Sequence, residues 1–593
     1  MDYYSMLLAK YFGERGRRRL RRFEVFLRHP LNSKKRRAHR DRSHLNVSFA
    51  DPNIETYEDW LKATEPNPLA LTTQRELSLT LPIQPRYSII VPLHRTPVPI
   101  FDEMVRSVID QSYPKWELCL TLVDSETQPE AQLKQKIENL RRVDDRVKVR
   151  LLPENCGISG NSNHALDMAS GEWTVLLDHD DLLAPDALYE FSLQINRNPD
   201  VDFIYSDRDM LDLDGRRIQP SLKPDWSPEI MLTANYLTHF NAMRTSRLRE
   251  IGGWDAGTDG AQDWDLFLRA IGKSQKVSHV PRVLYHWRMT PTSVSMNGFE
   301  AKPYAKNGQI RAINKYLETT GWKGAHAYFA TSKKIRIKWN ENFRPPICLV
   351  SIGNRKPKFS LDHDIQFRTA STTKSTLASN IDAAIANSDA PIIVVLDADC
   401  TPESPSAISE LIAPLANPEI ALVAGCARDC WDQIVDFGTF FRDGVARPSF
   451  RGLFLNSGGL GGAIERYRNA SAAPGSMLAF RRTLWEQLGG FSAFENSGRP
   501  DLSFCLAATQ RKAGRLFLNP YAAFRMTGRM CAFEEKATAQ ISSEVVRTAL
   551  PNGDPYLHPS LQCNSHYYDR GTKDKRLWAG NLEKTEADPS FTT

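Results

Sequence analysis

The side chains best suited to do chemistry in this 593-residue chain are aspartates at three places: Asp124, the pair Asp178 and Asp180, and Asp263. The apolar run Thr174-Val175-Leu176-Leu177 has the make-up of a buried strand and stops abruptly at Asp178-His179-Asp180-Asp181. A buried strand that delivers carboxylates at its C-terminal end puts them at a sheet edge, where open α/β sheets bind ligands. Clustered carboxylates repel one another unless a cation joins them, and Mg²⁺ is commonly held by one or two carboxylates plus substrate phosphates. The competing reading is a capped helix start, with Asp181 as N-cap and Asp178 and Asp180 solvated. Taken alone, the stretch does not choose between the two. Asp124 ends a second apolar run, Trp116–Val123, and Asp263 lies where a loop enters an amphipathic helix, DGAQDWDLFLR. Three acidic points on one sheet edge suit transfer of a group from a nucleotide diphosphate. Asp124 would accept hydrogen bonds from base or ribose, and Asp180 with Asp178 would hold a divalent ion at the leaving diphosphate. Asp263 would take the proton of an incoming hydroxyl.

The elements that must position these groups alternate. A short helix around Tyr57–Lys62 and a proline-bearing connection lead to a strand at Arg86–Pro92. A helical pattern follows through Phe101, Met104, Val105, Val108 and Ile109, then the strand ending at Asp124, a helix, and a third strand at Arg146–Leu152. A glycine-bearing loop, Glu154–Gly160, and a helix over Asn163–Ala169 precede the Asp178 strand. Strands alternating with helices predict a mostly parallel sheet with crossovers, which places Asp124 and Asp178 on the same edge. Further on come a short strand at Phe203–Tyr205, a hairpin turn at Asp212–Arg216, a helix over Leu248–Gly253 ending in glycines, and a strand at Val277–Arg288.

Bulk properties exclude several classes. Hydrophobic residues at 41% and charged residues at 25% describe an ordinary globular chain too long for one core. No apolar run is long enough to cross a bilayer, and the N-terminal stretch lacks the order of a secretory signal. The nine cysteines are scattered without CxxC pairs, which fits reduced thiols. The total charge is +6, but residues 1–44 hold 14 Lys and Arg against four acids, a local +10 that leaves −4 for the rest. This arm reads equally as a solvated tail or as a peripheral contact with anionic membrane. Nucleic acid is not expected as a partner, because the acidic body offers no continuing basic track. An NAD site is poorly supported, since Gly157-Ile158-Ser159-Gly160 lacks the GxGxxG spacing.

Residues 86–290 resemble an inverting family-two glycosyltransferase of GT-A fold. The resemblance is carried by YSIIVPLH, VDSE, ENCGISGNSNHALDMASGEW, LLDHDDLL, GGWD and GAQDWDLFLR. The runs SDRDMLDLDGRRIQPSLKPDWSPEIML and HVPRVLYHWR narrow it to the bacterial branch that builds O-antigen, capsule and similar surface polysaccharides, often with two tandem modules. The resemblance implies a metal-assisted single displacement with inversion, in which a hydroxyl deprotonated by Asp263 attacks a nucleotide-sugar. It sets Pro92, His94, Asp124, Gly157, Asn163, Asp178 and Arg288 at the donor, and Asp180 and His286 on a divalent metal, Mg²⁺ or Mn²⁺. Two of these have bland alternatives, His286 as packing beside Trp287 and Arg288 as a surface cation. Gln262 stands where the family has Glu before the base. The implied partners are a nucleotide-sugar donor and a glycan or lipid-linked glycan acceptor, and the implied location is cytoplasmic, with peripheral membrane contact through the arm.

Part of the pattern recurs. PIIVVLDAD repeats the carboxylate-ended strand, SNIDAAIA repeats SNHALDMA with Asn380 for Asn163, LWEQLGGF repeats LREIGGW, and Asp501 falls where Asp263 fell. An internal duplication explains four ordered matches. The expected fold class is therefore α/β, with two GT-A-like, Rossmann-like modules in tandem and the second diverged. The expected boundaries are a basic arm over 1–50, a helical lead-in over 51–85, module 1 over 86–322, a linker over 323–346, module 2 over 347–530 and an extension over 531–593. Asp397, Asp399 and Asp501 would form any second-module site, but that copy lacks a counterpart of Asp124 and has Phe524-Arg525 at the place of His286. The alternative to an enzyme is a glycan- or nucleotide-binding pseudoenzyme.

Overall fold

The computed structural model describes residues 51, 54, 56–272, 276–289, 305–331, 334–353, 364–371, 376–454, 460–527, 532–533 and 541–561. The expected basic arm lies outside the described residues. The chain forms two compact units: Thr56–Trp226 with Met231–Lys338, and Ser227–Ile230 with the chain from Trp339 onward. Among the described residues no helix is long and apolar enough to cross a membrane.

The first unit opens with helices α1 (Tyr57–Thr64) and α2 (Pro68–Ser78). Thr56 caps α1 by accepting the Asp59 N–H at 3.0 Å, and Asn67 caps α2 by accepting that of Ala70 at 2.9 Å. Strand β1 (Tyr87–Pro92) is followed by α3 (Val98–Ile109), β2 (Trp116–Val123), α4 (Glu130–Val143), β3 (Val147–Leu152), α5 (Gly157–Met168), β4 (Trp173–Leu176) and β5 (Leu182–Leu183). Then come α6 (Ala187–Arg197), β6 (Phe203–Leu211), β7 (Arg217–Ser221), β8 (Asn241–Arg244), α7 (Thr245–Glu250), α8 (Gln262–Gly272), β9 (Val277–Arg288) and α9 (Ala305–Thr319). Strands β1, β2 and β4 are buried almost throughout, as central parallel strands covered on both faces must be. In α3, Phe101, Met104, Val105 and Val108 turn one face to this core, at helical spacing.

The sheet runs β3-β2-β1-β4-β8-β6-β9-β5, with β7 paired to β6. Strands β1, β2, β3 and β4 are parallel, β8 is antiparallel to β4 and to β6, and β6 and β9 are parallel. The antiparallel β8 makes the sheet mixed, and two antiparallel steps return β6 and β9 to the direction of β4. The C-terminal ends of β1, β2, β4, β6 and β9 therefore share one edge. The strand expected at Phe203–Tyr205 continues to Leu211, so Asp207 and Asp209 are buried within the sheet. Residues 212–216 do turn the chain between β6 and β7, with Gly215 N–H donating to the Asp212 carbonyl at 3.0 Å. The stretch expected as a bare linker holds an antiparallel hairpin, β10 (His326–Thr331) and β11 (Lys334–Lys338).

The second unit contains β12 (Ile347–Ile352), β13 (Ile365–Ala370), α10 (Leu377–Ala386), β14 (Ile392–Asp397), β15 (Cys400–Pro402), α11 (Ala407–Ile412), β16 (Ile420–Arg428) and β17 (Ile434–Asp436). After a hairpin of β18 (Thr439–Arg442) and β19 (Val445–Pro448) come β20 (Arg468–Asn469), β21 (Met477–Arg481), α12 (Arg482–Leu488), α13 (Pro500–Gln510), β22 (Arg515–Met526) and α14 (Ser543–Ala549). Its sheet runs β13-β12-β14-β21-β16-β22-β15, with β17 on β16. This is the order of the first sheet, strand for strand, without a counterpart of β3 among the described residues. The duplication read from four motifs thus extends to the topology.

Candidate active site

The site of the first unit is built where β4 ends. Asp178 follows Leu177, and a turn closed by the Asp181 N–H on the Asp178 carbonyl at 3.2 Å returns the chain into β5. Strand β5 pairs with β9 at Tyr285 and His286. The competing reading of Asp181 as a helix cap is not met: no helix starts at it. Asp181 is fully buried and accepts the Tyr285 hydroxyl at 2.6 Å and the Arg288 N–H at 2.7 Å. Burial raises its carboxyl well above the usual range, and the charges of Asp180 and Asp178 push the same way.

The third member of the cluster is His239, which the sequence reading missed. It lies just before β8, whose antiparallel pairing with β4 brings it beside the Asp178 turn. Its Nε2 is 3.4 Å from Asp178 Oδ2, and its ring stacks on Tyr285 at 4.8 Å and meets the edge of Trp287 at 5.9 Å. Burial lowers the imidazole to about 4, against the raising effect of Asp263 and Asp180. At neutral pH His239 is therefore uncharged and keeps a lone pair. One donor atom each of Asp178, Asp181 and His239 lie within 4.8 Å of one another. Two carboxylates and a neutral imidazole are a donor set for a divalent cation, which would also relieve the crowding that raises Asp181. The residues fit a metal.

Asp263 is the second residue of α8 and is half-buried. The Trp254 indole N–H points at its Oδ1 from 3.5 Å, and the charge of Asp263 reaches His239. The loop before it is fixed at both ends. Ser159, in the first turn of α5, donates its hydroxyl to Asp259, and Gln262 Oε1 accepts the Gly260 N–H at 2.7 Å. An amide carbonyl does this as well as a carboxylate, so Gln262 fills the position without a charge.

Other expected site residues divide. Pro92 is half-buried at the end of β1, and His94 and Asp124 are exposed on the same edge, Asp124 held by Lys134 at 2.7 Å. Gly157 has φ +76°, and a Cβ there would come within 3.1 Å of Asp259. Asn163 is a brace: its amide donates to the Trp254 carbonyl at 2.9 Å and accepts the Trp254 N–H at 2.8 Å. With both ends of its amide engaged, it shapes the turn leading toward Asp263. Arg288 is tied to Glu103 at 2.6 Å and to the Asp180 carbonyl at 2.8 Å. His286 is not gathered with Asp178 and Asp180. Its Nδ1 is 2.7 Å from Asp209, a buried carboxylate that also accepts the Tyr57 hydroxyl at 2.7 Å and Arg217 Nε at 2.6 Å. The neighbour at ladder register takes Nδ1 of the ring, and it is His239 that stands beside Asp178.

The second unit can be laid on the first by register, because Tyr87 pairs with Trp173 as Ile347 pairs with Ile392. Asp178 then corresponds to Asp397 and Asp180 to Asp399, but Asp181 becomes Cys400. Strands β8 and β21 place Ser476 at the position of His239. Asp397 accepts the N–H groups of Asp399 at 3.1 Å and Ala532 at 2.9 Å. Asp501 is fully buried, held by Arg499 through two bonds of 3.0 and 2.8 Å, and accepts the Gly475 N–H at 3.0 Å. The register also corrects one match by two residues. Asp382, not Asn380, does the work of Asn163, accepting the N–H groups of Phe491 at 2.9 Å and Ser492 at 2.7 Å. Asn380 bonds the Ser371 carbonyl, as Asn161 bonds the loop before α5.

The family model described as glycosyl transferase family 2 matches residues 88–250. The putative teichuronic acid biosynthesis glycosyltransferase TuaG of Bacillus subtilis is 31% identical over 245 residues, which are 41% of this chain and 85% of that protein. The O-antigen biosynthesis protein RfbC of Myxococcus xanthus is 25% identical over 560 residues, 86% of this chain and 43% of that protein. The uncharacterized protein y4gI of Sinorhizobium fredii is 39% identical over 249 residues, 42% of this chain. The chain spans 27% of the length of y4gI and 43% of that of RfbC. The chain belongs to glycosyl transferase family 2, with two GT-A-like modules in tandem, the second diverged.

Proposed function

We propose that the first module is an inverting glycosyltransferase that moves a hexosyl or deoxyhexosyl group from a nucleotide-diphosphate donor to a hydroxyl of a growing surface glycan or lipid-linked oligosaccharide. The observation that carries this reading is the cluster of Asp178, Asp181 and His239, with the charge of Asp263 in reach of His239. Asp178, Asp181 and His239 would hold a divalent ion, Mg²⁺ or Mn²⁺, with Asp180 beside them. Such an ion, when bound, supplies charge neutralisation to a departing diphosphate. Asp263 takes the proton of the acceptor hydroxyl as its oxygen attacks the anomeric carbon, and the bond to the diphosphate breaks on the opposite face. Trp254 and the braces at Asn163, Asp259 and Gln262 keep that carboxylate in place. Asp124 receives the base or ribose at the end of β2, on the edge it shares with Pro92 and His94. The work is assigned to the cytoplasmic side of the membrane, where nucleotide-sugars are made.

For the second module a different reading is favoured, a non-catalytic glycan- or nucleotide-binding copy, because Cys400 and Ser476 replace two of the three cluster residues. A panel of nucleotide-sugars assayed by diphosphate release tests both readings. The whole chain releases diphosphate from one donor, EDTA stops it, and Asp178→Asn stops it with metal restored. Absence of metal-dependent release with every donor and a surface-glycan acceptor sinks the transferase reading.

A further inference from the structure

Arg208 has no place in the mechanism above, and its surroundings are unusual for a structural cation. It lies on β6 opposite Tyr285, next to two buried aspartates. Its Nε donates to the Thr238 hydroxyl at 3.2 Å, and its guanidinium carbon sits 4.5 Å from the centre of the Trp287 ring. Thr238 is the residue before His239, and Trp287 touches the His239 ring. The guanidinium is thus held against the loop that carries one member of the metal cluster, with Nε and its flat face used. Among the described residues no carboxylate forms an ion pair with it. Its two Nη groups are not among the fully buried atoms left without a partner, so each keeps some contact with solvent although the residue is half-buried. Nearby Arg217, Arg269, Arg282 and Arg288 are all tied to carboxylates. Burial depresses the guanidinium to about 10, and the charges of Asp181 and Asp209 work against that.

A guanidinium lying over an indole and pinned at Nε is left with its Nη edge for further partners. That is the form in which arginine reads an oxyanion through two parallel hydrogen bonds. In the second module the same register position is Ala427, and Arg428 and Arg525, one step further along β16 and β22, both face Glu403. At this register position the cation without an ion-pair partner stands in the first module alone, beside the cluster of Asp178, Asp181 and His239.

We propose that Arg208 is a donor-binding residue that takes a diphosphate oxygen of the nucleotide-sugar through its Nη edge. The inference rests on the glycosyltransferase reading of the first module and adds a contact that Arg288, tied to Glu103, is not open to make. The chemistry it recognises is an oxyanion, which in a donor comes from the diphosphate or from a carboxylate on the sugar.

The test is binding to the whole chain in Mn²⁺, by calorimetry, of UDP, GDP, CDP, ADP and dTDP, of the matching nucleosides, and of UDP-glucose against UDP-glucuronate. Arg208→Ala and Arg208→Lys are compared with the native chain, with thermal unfolding as the control for folding. The expected result is that both variants lose about tenfold or more in affinity for the diphosphate the native chain prefers, with nucleoside binding unchanged. Lysine does not rescue, because it lacks the planar fork. Equal affinity for diphosphate in both variants overturns the inference, as does equal weakening toward nucleoside. Loss confined to the uronate donor assigns Arg208 to the sugar and overturns it also. A native chain that binds none of these nucleotides overturns the transferase reading, and the inference with it.

Discussion

The two modules share a sheet order and differ in what stands at its edge. Asp178, Asp181 and His239 of the first correspond to Asp397, Cys400 and Ser476 of the second. Asp263, half-buried under the Trp254 indole, corresponds to Asp501, sealed by Arg499 and a backbone N–H. The brace that Asn163 makes recurs at Asp382, while Asp181 and His239 give way to Cys400 and Ser476. The comparison teaches that a strand ending in Asp-x-Asp marks a place in a fold. The two ends differ in the partners that reach them from β8 and β9, and on the proposed reading those partners decide the chemistry.

The largest effects should separate the modules by activity. Asp263→Asn is expected to lower transfer by about 10²–10⁴-fold, the usual contribution of a general base, whereas Asp397→Asn leaves the rate unchanged. Initial rates of diphosphate release for both variants check this, and equal losses would break the division of labour. Next in size, Arg499→Ala strands a buried carboxylate in the second module and should cost it about 3–5 kcal/mol, read by denaturant unfolding, with the donor affinity of the first module unaltered.

A smaller contrast concerns acid. Glu117, at the second position of β2, is fully buried. Burial alone would raise it, but the Ser170 N–H and hydroxyl, Ser88 and Lys148 outweigh this and hold it at about 2, below its ordinary 4.5. A depressed carboxyl gives stability that is complete above its unfolded value and is lost as pH falls through the folded one. The first module should therefore weaken between about pH 4.5 and pH 2. The same register position in the second module is Gln366, which does not titrate. Glu117→Gln should flatten the acid limb of unfolding in the first module alone, as followed by hydrogen exchange in each. Smallest of all, Gln262→Glu should leave rate and stability unchanged, because only the Oε1 acceptor is used, while Gln262→Ala costs about 1 kcal/mol through the lost bond to Gly260.

The strands and their carboxylate ends were legible because burial and spacing are local properties. Trp116–Val123 and Val277–Arg288 form as read, and the edge shared by Asp124 and Asp178 follows from strand direction alone. His239 was not legible. It is a polar residue in an aperiodic segment, and it becomes a neighbour of Asp178 only through the antiparallel pairing of β8 with β4. Asp181 was visible, but the sequence left a cap open for it, since Asp is favoured there and nothing local reveals that Tyr285 and Arg288 surround it. His286, set on the metal by the resemblance, bonds Asp209 through Nδ1, a partner that only the β6–β9 ladder reveals. The shift from Asn380 to Asp382 has the same origin, because two polar residues two apart on one helix are told apart only by what they touch.

The glycine turns carry one more consequence. A Cβ at Gly253 would lie 2.2 Å from Asn163 Oδ1, and one at Gly490 would lie 2.6 Å from Asp382. Each copy has thus kept a contact that admits no side chain and only a short polar brace. Such a contact is a datum from which the rest of the edge is measured. A side chain at either glycine would displace the brace and the turn that follows it. The duplicate could lose its chemistry, or take up another, while remaining in step with its sister, and any new activity grafted onto it would inherit an aligned frame.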